Sequence, residues 1–177
     1  MLVPSPTRSR SDSRTPRDGY ACGSHGASTL VAETLTRLLA DTYLVANTTQ
    51  VLQWNVEALD TSDLGRLLGR QREELSDALD EIAERIRAQG TPVLGTLDLV
   101  SALSADKPPD VSRGGRELFG ALIERHGTMV GSLDRAHARL RGTPDIETLE
   151  LLQRRAGWHR DALEALRAAS IPLWGAL

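Results

Sequence analysis

Leu75-Ser76-Asp77-Ala78-Leu79-Asp80-Glu81-Ile82-Ala83-Glu84-Arg85-Ile86 is the stretch that decides the fold. Its apolar residues Leu75, Leu79, Ile82 and Ile86 fall in steps of three and four, the period of one helix face. Leu64 and Leu68 extend that stripe upstream, and Gly90 then Pro92 end it, so a helix is expected from about Thr61 to Gln89. Within it Asp80 and Glu84 stand four residues apart. That spacing puts both carboxylates on one face, close enough to share a metal ion.

Outward from this helix the same period recurs. Upstream, Leu35, Leu39, Tyr43, Ala46 and Trp54 predict a helix from Ser28 to about Leu59, with Ser28 or Thr29 as its cap. Downstream, Leu118, Leu122, Met129, Leu133 and Leu140 predict a third over Val111 to Arg141. Thr143-Pro144-Asp145 opens a fourth, with Thr as its cap, Pro at its first position and Asp at its positive end, and Leu149, Leu152, Ala156, Leu163 and Leu166 give it its stripe until Pro172 stops it. The long connection between the second and third helices has room for a short helix over Thr96 to Ser104. Four long helices with one long crossover predict an all-α, ferritin-like four-helix bundle.

The bulk numbers agree. A chain of 177 residues with 40% hydrophobic and 25% charged content suits one soluble domain. Only six aromatics are present, so the core has to be aliphatic. Residues 1–27 are rich in Ser, Thr, Arg, Pro and Gly and read as a disordered basic tail ahead of a bundle domain over 28–177. The tail's Arg8, Arg10, Arg14 and Arg17 outnumber Asp12 and Asp18 by two, so the rest of the chain carries −5 of a total of −3. Its one cysteine, Cys22, excludes an internal disulfide. No apolar run reaches membrane-span length and the start lacks a signal peptide's apolar core, which makes the cytoplasm the expected compartment.

Gln53-Trp54-Asn55-Val56 resembles the His-Trp-Asn-Val of the Dps family, the ferritin-like proteins that protect bacterial DNA under starvation. Asp80-Glu81-Ile82-Ala83-Glu84-Arg85 resembles that family's Asp-x-Ile-Ala-Glu-Arg, and Ile86 to Gly90 continue the likeness. Asp145, Thr148, Leu151, Leu152 and His159 fall where the family's fourth helix has such residues. The resemblance spans roughly residues 29–170. It implies a hollow dodecamer built from dimers, with a ferroxidase site at each two-fold interface that oxidises ferrous iron for storage as ferric mineral.

In that family two His and an Asp come from one subunit, an Asp and a Glu from its neighbour. Carried over by position, the first three fall on Gln53, Gly65 and Gly69, and the last two on Asp80 and Glu84. Imidazole and carboxylate are what hold ferrous iron, and glycine offers no side chain. The resemblance therefore implies a weak or lost iron site, with Asp80 and Glu84 as surviving ligands. It also places Asp145 and Glu150 at an iron-entry pore and lets the tail arginines bind DNA phosphates without reading sequence.

Blander readings stand beside these. Asp80 and Glu84 are also what a solvated face looks like, or partners for Arg87 or a neighbouring chain. Acidic residues suit helix starts for dipole reasons alone. His126 and His159 lie on core stripes and read as satisfied core histidines. The alternative function is a non-catalytic shell or DNA-binding subunit, assembling either alone or with an intact homologue that supplies the missing ligands. The absence of Glu-x-x-His pairs argues against a buried-centre ferritin, and phosphate-binding glycine motifs are absent too.

Overall fold

The computed structural model describes residues 22–55, 62–93, 102–103 and 114–174. Among them four helices account for the architecture: α1 (Cys22–Asn55), α2 (Ser62–Ala88), α3 (Gly115–Leu140) and α4 (Ile146–Trp174). α1 packs on α2 and α3, α4 packs on α3, and α2 meets α4 along a shorter contact. In this ring α2 and α3 occupy diagonal corners, which is why the chain needs a long crossover between them. Of the short helix expected there, only Ala102 and Leu103 are described, and both are helical.

The stripes of α2, α3 and α4 are buried or half-buried as their spacing predicts. α1 differs. Leu35 and Leu39 are buried, but Tyr43 and Trp54 are exposed, Trp54 by 68%. Repeated steps of four drift around a helix, so Tyr43 lies about 80° from Leu35. Steps alternating between three and four hold the face, and Leu35, Leu38, Thr42, Val45, Thr49 and Leu52 are the residues it buries. The buried threonines satisfy their own hydroxyls: Thr42, Thr48 and Thr49 donate to the carbonyls of Leu38, Leu44 and Val45 at 2.7, 2.7 and 2.9 Å.

Helix ends depart from expectation in instructive ways. α1 starts at Cys22, ahead of the Ser28 expected to cap it, and the Ser28 hydroxyl instead donates to the Gln89 carbonyl at 2.9 Å. α2 ends at Ala88, and Gly90 turns the chain just past it as expected, at φ +75°, with its amide donating to the Arg87 carbonyl. Thr143 is not the cap of α4, because its hydroxyl closes α3 by donating to Leu140. Asp145 takes that place, accepting from the Thr148 amide at 3.0 Å. Pro172 lies inside α4, whose last residue is Trp174. So near a helix end its missing N–H removes at most one hydrogen bond, too little to stop the helix two residues earlier.

Candidate metal centre

The hexapeptide of α2 sends its side chains two ways. Ile82 is buried, Glu81 pairs with Arg154 of α4, and Arg85 reaches the start of α4. Asp80 and Glu84 point outward and are exposed, and neither has a hydrogen bond or ion pair to another described residue. Arg87 therefore does not partner them within the chain. Two carboxylates on one outward face are available to a cation, but two alone form a weak hard-oxygen site.

The three further positions that the resemblance points to carry no imidazole or carboxylate. Gly65 and Gly69 sit upstream on α2, and a Cβ built at either would meet nothing within 4 Å. Gln53 is exposed near the end of α1. Asp63, in the first turn of α2, is paired with Arg66 one turn on. Among the described residues no group of three or more His, Cys, Asp or Glu is placed to hold a metal ion.

Asp145 does structural work. Its carboxylate caps α4, accepts from the Thr148 hydroxyl at 2.7 Å, from Arg85 at 2.7 Å and from Gln89 at 2.8 Å. Burial pushes its acidity the other way, but the Thr148 hydrogen bonds and the Arg85 charge outweigh it and hold the carboxyl below 3.8. Arg85 also pairs with Glu147. Glu150 is exposed on the first turns of α4. Arg8, Arg10, Arg14 and Arg17 lie outside the described residues.

One constellation was not legible in the sequence. His126 of α3 and His159 of α4 face each other in the core, their Nδ1 atoms 3.0 Å apart. Trp158 lies edge-on to His159 at 4.8 Å, and the Arg155 guanidinium stands 4.8 Å over the Trp158 ring. Arg155 is anchored by Glu74 of α2 at 2.8 Å. Burial lowers His126 to about 4; burial, then His126 and Arg155, lower His159 to about 2. Both are neutral at pH 7, with one Nδ1–H donating to the other nitrogen. The His126 Nε2 is buried without a hydrogen-bond partner among the described residues. Core stripes revealed burial of both histidines; only the packed helices reveal that they partner one another.

A model of the ferritin-like domain matches residues 32–168. An uncharacterized protein in the bpoA2 5′ region of Kitasatospora aureofaciens is 24% identical over 123 residues, 69% of this chain and 82% of that protein. Among solved structures, the Dps protein of Vibrio cholerae superposes with a TM-score of 0.75 at 19% identity, covering 81% of this chain and 91% of that one. DpsC of Streptomyces coelicolor gives 0.72 at 21%, covering 79% and 84%. The Dps of Mycobacterium smegmatis gives 0.76 at 21%, covering 82% and 89%. At these identities the structural likeness speaks for the fold.

Proposed function

This chain belongs to the ferritin-like domain family, and on that premise we propose that it is a Dps-like shell protein for iron sequestration whose ferroxidase activity is impaired or lost. The observation that carries the reading is the state of α2: Asp80 and Glu84 are exposed and unengaged on one face, while Gly65 and Gly69 hold no ligand. In this reading ferrous iron is cargo, loosely held by two carboxylates and moved on without rapid oxidation. Assembly is proposed as a homo-oligomer, a dodecamer built from dimers, with exposed Trp54 at a subunit contact. Entry through a pore would fall to Glu150, since the Asp145 carboxylate is occupied as a cap.

The second reading is mixed assembly, favoured by the same half-site. A homologue bringing two histidines and a carboxylate would meet Asp80 and Glu84 across an interface and complete the centre. DNA and oxidative-stress protection through Arg8, Arg10, Arg14 and Arg17 is a further part of the proposal, sequence-independent and additive over many arms. The cytoplasm, and the nucleoid if DNA is bound, is the compartment proposed. No helix among the described residues is long and apolar enough to cross a membrane.

Ferrous oxidation by the purified protein, followed by absorbance, tests the main reading. The expected rate is that of protein-free solution, and Gln53→His/Gly65→His/Gly69→Asp is expected to raise it. A fast phase in the unaltered protein that Glu84→Ala abolishes overturns the reading. Gel shift of plasmid DNA with and without residues 1–27 tests the tail; equal shifts remove it.

A further inference from the structure

We propose that the cleft between α1 and α3 binds a free phosphate-class oxyanion, inorganic phosphate or pyrophosphate. The cleft encloses about 370 Å³. Its basic wall comes from both helices at helical spacing: Arg37 on α1, Arg135 and Arg139 on α3. The inference is independent of the iron reading, because these residues lie on other helices than Asp80 and Glu84.

Charge bookkeeping singles this place out. Arg66, Arg85, Arg154, Arg155 and Arg160 each have a carboxylate partner within the chain. Arg37, Arg135 and Arg139 have no such partner among the described residues, yet they converge on one concavity in a protein of net charge −3. The one carboxylate in the wall, Asp41, is half-buried and already engaged. Among the described residues of the lining, three cations against one anion leave a surplus of +2, which a doubly charged oxyanion neutralises.

The donors are the right kind. Guanidinium forks match phosphate oxygens two at a time. Arg135 is held in place by donating to the Ser132 Oγ at 3.0 Å, and that acceptance leaves the Ser132 O–H itself free to donate. Thr34, deeper in the wall, spends its proton on the Leu30 carbonyl and adds shape only. Leu38, Leu103 and Ala136 form the apolar part of the wall, while the three guanidinium groups are solvent-exposed at its rim and open to an incoming anion. A concavity of this volume suits a small oxyanion.

Isothermal titration of the full chain with inorganic pyrophosphate at low ionic strength is the test. One saturable site per chain is expected, weakened roughly tenfold or more by Arg37→Ala/Arg139→Ala. Arg37→Lys/Arg139→Lys, which preserves charge and fold, should weaken it less than the alanine pair. Arg72→Ala, removing an exposed arginine of α2, should leave it unchanged. Absence of saturable binding overturns the proposal, and so does equal binding by the alanine variant or equal loss in Arg72→Ala. Loss of plasmid gel shift in the alanine variant without any pyrophosphate binding would overturn it in favour of a nucleic-acid backbone.

Discussion

Acid should unfold this bundle through two residues. His126 and His159 are 0% and 1% exposed and neutral, with folded values of about 4 and about 2 against 6.5 in the unfolded chain. Lowered values mean that the unfolded state binds protons first as pH falls. The stability that depends on them is whole above pH 6.5 and is lost progressively below it. For His126 alone the gap to about 4 corresponds to about 3 kcal/mol gone by pH 4, and His159 adds in the same direction. That is a sizeable share of a typical domain's stability. Urea unfolding followed by circular dichroism from pH 7 to pH 4.5, at fixed protein concentration, reads the slope. His126→Leu/His159→Leu removes both partners together, so its stability at pH 7 should change little. Its pH slope should be markedly flatter. An unchanged slope in the double variant would refute the reasoning, because the acid sensitivity would then reside in the carboxylates.

Gly65→Ala and Gly69→Ala should each raise monomer stability by about 0.5–1 kcal/mol in urea melts, since both sit in a helix interior where the new methyl meets no atom within 4 Å. Gly90→Ala should lower it by about 1 kcal/mol, because the residue holds φ +75° where an L side chain is strained. Asp145→Ala should cost about 1–2 kcal/mol by the same measurement, the loss of the α4 cap plus the Arg85 contact. Asp145→Asn, which still caps, should recover about half of that.

The bundle was legible because its signal is repetitive. Six apolar positions on α2 cannot agree with a helix by accident, and Gly90 marks its end with the one backbone conformation that favours glycine. Tyr43 and Trp54 were misplaced because runs of steps of four look periodic on paper while drifting off the face. Thr143 and Asp145 are both competent caps, and only the carbonyl of Leu140 decides between them. Of the candidate site, the shared face of Asp80 and Glu84 follows from spacing, whereas the vacancies at Gly65 and Gly69 are visible only through the family resemblance. The His126–His159 pair was hidden because it joins residues 33 apart in sequence on different helices. No local pattern specifies which two core histidines meet.

Arg85 closes the hexapeptide that gives this chain its family likeness, and in the folded molecule its guanidinium is engaged between helices. It fastens the last turn of α2 to the first turn of α4 through Asp145, Glu147 and Thr148. Glu81 and Ile82 are likewise engaged in holding helices together. The signature is thus mostly an architectural mark with two chemical letters set into it. A search keyed to those six residues reports bundle geometry faithfully, and the letters Glu81, Ile82 and Arg85 that it matches speak of helix packing and not of oxidation.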